Sequence, residues 1–183
     1  NKKASHVPLG LLTVASMLPK DWNLELVDEN VVRQVTDEKI LSYDLVLLSA
    51  MLVQRDSARR IINLCYEHGK TTIAGGPFFT TCHKEELARI TYVLQGEIED
   101  TIDPFLEDFQ KGVAKHIYLI PTKKPDLSKT PIPMWGLIDP KNYATPSIQH
   151  SRGCPFKCDF CDIIVMYGQI QRVKHPEQII AEI

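Results

Sequence analysis

The sequence of 183 residues lacks long hydrophobic runs and any excess of basic charge. No apolar stretch approaches the roughly 18 residues that cross a bilayer, so no membrane span is expected. The formal net charge is −2, with 21 lysines and arginines against 23 aspartates and glutamates. A protein of this charge is not expected to bind nucleic acid through its phosphates. Apolar residues make up 44% of the chain and charged residues 24%, as is typical of a globular protein in water.

Two nucleotide-binding motifs and a disulfide framework are also missing. The absence of G-x-G-x-x-G argues against a dinucleotide site, and the absence of G-x4-G-K-[ST] excludes a P-loop. The chain has only five cysteines, which is an odd number. Three of them lie within one short stretch, and this clustering predicts a reduced, cytoplasmic protein rather than a disulfide scaffold.

Up to residue 120 the sequence alternates between short apolar strands and amphipathic helices. Strands are predicted at 24–28, 44–50, 71–76, 91–96 and 116–120. Apolar stripes with helical spacing predict helices at 11–18, 58–65 and 102–109, and a Thr80 or Thr81 cap predicts a helix to about Ile90. Single helices between strands indicate a parallel sheet, that is, a doubly wound, Rossmann-like α/β domain. Because such a sheet normally starts with a strand and this chain starts on a helix, an upstream strand is expected to be missing.

The character of the sequence changes after residue 121. Prolines lie among lysines, threonines and aspartates without a sustained period, which predicts an extended linker at 122–146 rather than a packed element. A strand is predicted at 147–151, and Pro176 is placed to begin a helix. We therefore predict an α/β domain at 1–121, the linker, and the first βα unit of a second domain at 147–183.

The second domain opens with the stretch SRGCPFKCDFCDI, which contains Cys154, Cys158 and Cys161. Gly153 and Pro155 allow the backbone to turn sharply, so the three sulfurs can meet at one point. Three thiolates are soft ligands, and they suit either zinc or an iron–sulfur cluster. The loop is therefore predicted to bind a metal centre.

The number of ligands bears on which metal centre is expected. A structural zinc site needs a fourth ligand, for which His150 and His175 are candidates, although neither lies at the spacing seen in zinc fingers. A [4Fe–4S] cluster held only by protein needs a fourth cysteine, and Cys65 and Cys82 lie in the other predicted domain. A cluster with one open iron is therefore favoured, and zinc remains the alternative.

The C-x3-C-x2-C spacing, with Phe160 immediately before the last cysteine, resembles the motif of the radical S-adenosylmethionine (radical SAM) enzymes. The resemblance implies that the three cysteines hold a [4Fe–4S] cluster and that S-adenosylmethionine chelates its fourth iron. It further implies that Phe160 lies near the adenine of that cofactor, and that an electron donor such as flavodoxin or ferredoxin reduces the cluster. On this interpretation 147–183 is the truncated start of a (β/α) barrel, which in full needs about 250 residues.

The first domain is predicted to bind a ligand at the carboxyl ends of its strands, where doubly wound sheets hold their ligands. Glycines recur at consecutive strand ends and leave room for a flat or bulky ligand to approach the backbone. A tight turn is the simpler explanation for any single pair of glycines, and core packing is the simpler one for Met51. The predicted contacts are Ser49, Met51, Gln54, Gly75, Gly76, Pro77, Gly96 and Glu97.

An α/β domain ahead of a radical SAM motif resembles the cobalamin-binding (B12-binding) domain of the class B radical SAM methyltransferases. The segments VPLGLLTVASMLP, GGP, GE and SRGCPFKCDFCDIIVMYG are similar to those of hopanoid C-2 methylase and its paralogues. The resemblance implies that cobalamin is the strand-end ligand. It also implies methylation of an unactivated carbon in a small, hydrophobic substrate, such as a hopanoid-like lipid.

The chain departs from many B12-binding domains in the D-x-H-x-x-G string that supplies a histidine to cobalt. The corresponding stretch has Ala4 in place of the aspartate and Leu9 in place of the glycine. His6 is therefore not assigned to cobalt. The lower face of the cofactor is expected to carry water, to be empty, or to be approached by a neutral residue of the loop at 49–54.

Two other functions fit the same motifs. One is a cobalamin-binding radical SAM enzyme that catalyses rearrangement, ring closure or thioether formation. The other is a non-catalytic module that binds a corrinoid or zinc. The 183 residues alone are expected to be inactive, because most of the barrel is missing.

Overall fold

A computed structural model describes residues 3–119 and 122–183. Four parallel strands form one sheet in the order β1-β2-β3-β4. They are β1 (Leu45–Ser49), β2 (Thr71–Gly75), β3 (Tyr92–Leu94) and β4 (Ile117–Tyr118). The predicted parallel α/β architecture is confirmed, although Ile120, at the end of the last predicted strand, lies outside the described residues.

Helices cover both faces of this sheet. The helices of the α/β part are α1 (Leu9–Ala15), α2 (Asp37–Leu41), α3 (Arg55–Glu67), α4 (Pro77–Thr81) and α5 (Ile102–Gln110). On one face Ile73 and Leu94 pack with Phe105 of α5, and on the other Ala74 and Val93 pack with α3 and α4. Successive strand residues point to opposite faces, so each buried strand supplies both cores.

The helix after β2 begins earlier than predicted. It starts at Pro77, ends at Thr81 and is followed by a separate 3-10 turn at Lys84–Leu87. The predicted Thr80 or Thr81 cap is therefore wrong. Proline is favoured at the first helical position because it has no N–H to leave unpaired, and the Thr80 hydroxyl instead donates to the Gly76 carbonyl at 2.8 Å.

The predicted strand at 24–28 is an extended segment without strand hydrogen bonds. Its side chains do alternate: Leu24 and Leu26 are half-buried and Glu25 is exposed. However, an apolar cavity of about 190 Å³ lies between Leu24 and Leu26 on one side and Leu45 and Leu47 of β1 on the other. Paired strands lie about 4.8 Å apart, which leaves no room for such a cavity, so this segment does not continue the sheet.

The proline-rich segment packs against the α/β domain, contrary to the prediction of an unpacked linker. Its regular structure consists of 3-10 turns at Leu127–Lys129, Trp135–Leu137 and Pro140–Asn142. Leu127 and Tyr143 are buried, and the Met134 N–H donates to the Leu12 carbonyl at 2.9 Å. The apolar side chains between the prolines bury themselves on the domain, and a count of prolines does not reveal this.

The C-terminal part consists of a hairpin and two helices. Strand β5 (Ser151–Arg152) pairs antiparallel with β6 (Arg172–Val173), and the loop between them contains helix α6 (Ile163–Tyr167). The predicted helix at Pro176 is confirmed as α7 (Pro176–Glu182). The strand predicted at 147–151 is displaced, because only its last residue joins the ladder. Among the described residues, no helix has both the length and the apolarity to cross a membrane.

Candidate cofactor site

The carboxyl ends of β1, β2 and β3 line one cavity of about 220 Å³. The structure brings six of the eight predicted strand-end residues onto its wall: Ser49, Gly75, Gly76, Pro77, Gly96 and Glu97. Apolar side chains of α1 and α5, including Val14 and Phe105, form the rest of the lining. An apolar cavity with a few polar groups at its rim is the usual form of a small-molecule site.

Close packing between strand ends explains two of the glycines. Gly76 has φ +84°, and a Cβ at this position would lie 2.5 Å from the Ser49 hydroxyl oxygen. A Cβ at Gly75 would lie 3.0 Å from the Leu94 carbonyl oxygen. A larger residue at either position would push into the neighbouring strand end, so the glycines keep the ends together and the cavity open.

Thr80 joins the two glycine turns, a role that the sequence analysis missed. Its hydroxyl donates to the Gly76 carbonyl at 2.8 Å and accepts from the Gly96 N–H at 2.9 Å. A threonine in a helix can return its hydroxyl to the carbonyl four residues earlier. The four-residue spacing between Gly76 and Thr80 could have indicated this hydrogen bond.

Met51 and Gln54, the other two predicted contacts, lie outside this cavity. The Gln54 side chain accepts from the Met51 N–H at 2.8 Å and donates to the Asn30 side chain at 3.3 Å. Gln54 therefore fixes the loop after β1. Met51, Leu52 and Val53 in that loop are exposed, Val53 by 94%, and contiguous exposed apolar side chains are typical of a binding surface.

Glu97 lines the cavity, but arginines already bind its carboxylate. The residue is only 4% exposed. It accepts from Arg152 Nη1 at 2.9 Å and from Arg172 Nη2 and Nη1 at 2.7 and 3.0 Å. Arginine donors therefore already occupy three of the roughly four acceptor sites of this carboxylate.

Arg152 also pairs with the carboxylate of Glu99, which lies two residues after Glu97. Burial acts to lower the pKa of Arg152, but the charge of Glu99 and the hydrogen bond that Arg152 donates to Glu97 outweigh it and raise the pKa. The guanidinium therefore stays charged. Gln149 and Tyr167 of the C-terminal part line the same cavity, and burial raises the pKa of Tyr167. None of these four residues was predicted. The acidic partners of Arg152 are distant from it in the sequence.

The cysteine loop leaves the hairpin next to this cavity. The Cys154 N–H donates to the Gly168 carbonyl at 3.1 Å, and the Cys161 N–H donates to the Cys158 carbonyl at 3.1 Å. Gly153 has φ +94°, and a Cβ there would lie 2.2 Å from the Ile170 carbonyl oxygen. Only glycine fits this position, as the prediction of a sharp turn requires.

The three thiols of the loop are suitable ligands for a soft metal centre, but their sulfurs do not lie close together. Cys154 and Cys161 are half-buried and Cys158 is exposed. Among the described residues, no three histidine, cysteine or carboxylate side chains lie close enough together to hold a metal. Phe160 is 92% exposed. The assignment of the three cysteines as ligands and of Phe160 to the adenine stays a prediction.

The remaining candidate ligands lie elsewhere. Cys65 is buried beside Ile40 and Ile61, and burial raises its pKa. Cys82 packs at the edge of the other core, and burial likewise raises its pKa. Both thiols pack against the cores of the α/β part and not in the C-terminal part that carries the cysteine loop.

Comparison with known proteins identifies the α/β part. The family model described as "B12 binding domain" matches residues 2–106. Over its whole length the chain is 42% identical to an uncharacterized methyltransferase of Synechocystis sp., covering 34% of that protein. It is 33% identical to the hopanoid C-2 methylase of Rhodopseudomonas palustris, over 96% of this chain and 34% of that protein.

A third relative has a different named substrate. The chain is 27% identical to the bacteriochlorophyllide d C-12(1)-methyltransferase of Chlorobaculum tepidum, over 98% of this chain and 40% of that protein. The chain thus spans between 34% and 40% of the length of these three relatives.

Proposed function

Because the chain belongs to the B12-binding domain family, we propose that it is the cofactor-binding part of a cobalamin-dependent radical SAM methyltransferase. One observation carries the proposal. The glycine-lined strand ends and the hairpin that bears the three cysteines form the walls of a single cavity, with Ser49 and Gly76 on one side and Arg152 and Tyr167 on the other. Two cofactors bound by these two parts would be neighbours.

Cobalamin would be held by the strand ends of the α/β domain. The residues available are those of the cavity rim, Ser49, Gly75, Gly76, Pro77 and Gly96. The exposed apolar loop at 51–53 offers a surface for a flat ring, and its burial there would contribute roughly 25 cal/mol per Å². The loop contains no histidine, so we propose that apolar side chains meet the lower face of the cofactor. Glu97 is not needed as a contact, because two arginines bind it.

The C-terminal part would supply the second cofactor site. Cys154, Cys158 and Cys161 would hold a [4Fe–4S] cluster, with Phe160 beside the adenine of S-adenosylmethionine. When bound, this pair supplies a 5′-deoxyadenosyl radical that removes hydrogen from an unreactive carbon, and cobalamin supplies the methyl group. The protein's own residues bind and orient the reactants and exclude water between them.

The substrate is proposed to be a small hydrophobic molecule, such as a hopanoid-like lipid, in keeping with the name of one relative. The electron donor is proposed to be a flavodoxin or ferredoxin. Since the chain spans only 34% of that relative, most of the substrate site is expected to lie outside these 183 residues. The 183 residues alone are expected to have no activity.

The proposal is tested with the full-length protein, S-adenosylmethionine carrying a deuterated methyl group, a reductant and a hopanoid. We expect 5′-deoxyadenosine and a product that is heavier by one labelled methyl group. Cys158→Ala should abolish both, whereas Cys82→Ala, which changes a core thiol, should not. A rearranged or cyclised product without the label would contradict methyl transfer and support the alternative, a radical SAM enzyme that catalyses rearrangement or ring closure. Turnover that survives in Cys158→Ala would refute the radical mechanism.

A further inference from the structure

The α/β domain and the hairpin meet at a buried group of charges. Arg152 of β5 and Arg172 of β6 are direct partners in the antiparallel ladder. Like charges directly opposite each other destabilise a pair of strands. The carboxylate of Glu97, just after β3, accepts from both guanidinium groups at 2.7 to 3.0 Å. The hairpin therefore gains its missing counter-charge only when it is seated on the end of β3.

The same two arginines hold the ends of the cysteine loop. Arg152 immediately precedes Gly153, where the loop begins. Arg172 donates to the Tyr167 carbonyl at 3.0 Å, where α6 ends, and to the Pro125 carbonyl at 2.8 Å. Glu97 is thus hydrogen-bonded to Arg152, which precedes the segment with the three cysteines, and to Arg172, which holds the end of that segment.

Removing the carboxylate would leave two buried arginines facing each other. Their side chains are 10% and 17% exposed, so water can replace Glu97 only in part. Arg152 would keep Glu99 as a partner, but Arg172 pairs with no other acidic side chain among the described residues. Truncating one member of a buried charge pair is far more disruptive than breaking a surface pair.

We propose that Glu97 is a positioning residue, whose ion pairs with Arg152 and Arg172 set the place of the cysteine loop relative to the strand-end cavity. This inference rests on the proposed function, because it assigns the loop to a cluster that must lie near cobalamin. Glu97 acts through the arginines and need not touch either cofactor. Through Glu97, the α/β domain would help to position the cluster and S-adenosylmethionine.

The test compares Glu97→Gln with Glu86→Gln in the full-length protein. Glu86 also binds an arginine, accepting from Arg59 Nε at 2.8 Å, but it lies after α4 and away from the cavity. Amide hydrogen exchange is measured without cofactors. The Cys154 and Lys174 amides donate to the Gly168 and His150 carbonyls. In Glu97→Gln these two amides should exchange at least about tenfold faster, and in Glu86→Gln they should not.

The second measurement is the magnetic dipolar coupling between cob(II)alamin and the reduced cluster in the loaded protein. Glu97→Gln should retain its iron and cobalamin but show a shifted or broadened coupling, while Glu86→Gln matches the wild type. If Glu97→Gln does not accumulate, Glu97→Asp, which keeps the charge but is shorter, should show the shift. Coupling and exchange equal to the wild type would overturn the inference.

The two proposals fail in different ways. If the wild-type protein takes up no cluster or no cobalamin, the proposed function fails, and the exchange rates still decide whether Glu97 seats the hairpin. If the wild type takes up both cofactors and Glu97→Gln behaves like Glu86→Gln, the positioning role fails while the proposed function stands.

Discussion

Replacing Gly76 by alanine should destabilise the α/β domain through two separable effects. Gly76 has φ +84°, and the added Cβ would lie 2.5 Å from the Ser49 hydroxyl oxygen. The ψ of Gly76 is −171°, which places it in a region that is essentially restricted to glycine, where another residue costs about 1–3 kcal/mol. Forcing Ser49 away from its rotamer adds roughly 1 kcal/mol. Gly76→Ala should therefore lose about 2–4 kcal/mol of unfolding free energy.

Two variants separate these effects. Gly69 also has a positive φ, +63°, but nothing lies within 4 Å of an added Cβ, so Gly69→Ala should show only the conformational cost of about 1–2 kcal/mol. In the double variant Ser49→Ala/Gly76→Ala, the clash is removed because the Ser49 Cβ would be 3.5 Å away. The double variant should recover roughly 1 kcal/mol.

The assay is urea denaturation followed by circular dichroism, with unfolding free energies compared at equal slopes. Equal losses for Gly76→Ala and Gly69→Ala would refute the packing argument. So would a double variant whose loss is the sum of the two single ones. In either case the strand ends would not be packed as closely as the structure shows.

Three further perturbations have defined outcomes. Phe105→Ala, at a side chain with no exposure, should cost about 3–5 kcal/mol in the same denaturation assay; a loss below 1 kcal/mol would contradict its place in the core. Burial and the Asp28 carboxylate raise the pKa of Tyr143 to about 12, so stability should fall between pH 10 and 12, where only the unfolded tyrosine is deprotonated. Asp28→Asn should lower that pKa in an absorbance titration, and an unchanged value would rule out the carboxylate as a cause. Val53→Ser should leave stability unchanged within about 0.5 kcal/mol but weaken cobalamin binding several-fold in an equilibrium titration. Val113→Ser, at another exposed valine, should change neither stability nor cobalamin binding. Equal cobalamin affinities of the two variants would exclude the loop from the site.

Local periodicity was sufficient to predict the centre of the sheet and its main helices. The runs at β1 and β2 are apolar because helices cover both faces, and α3 and α5 carry apolar stripes that face a core. The strand ends followed from the parallel order, so six cavity residues could be named from the sequence. These features depend on residues that are near one another in the chain.

Features that depend on distant partners could not be predicted in this way. Residues 24–28 have the side-chain alternation of a strand, but a strand also needs a bonded neighbour, and a cavity lies in that place. The packing of the proline-rich segment depends on a surface formed near Leu12. Glu97 was interpreted as a ligand contact, since its partners Arg152 and Arg172 lie 55 and 75 residues away.

We propose above that one chain holds cobalamin at the strand-end cavity and an iron–sulfur cluster on the cysteine loop that leaves the hairpin beside it. It is tested most directly by reconstituting the full-length protein anaerobically with iron, sulfide and hydroxocobalamin, removing unbound material, and recording absorption and EPR spectra with metal analysis. We expect one cobalamin and about four irons per chain, and Cys158→Ala should lose the iron and keep the cobalamin. Stoichiometric zinc without a cluster signal, or a protein that retains no cobalamin, would contradict it.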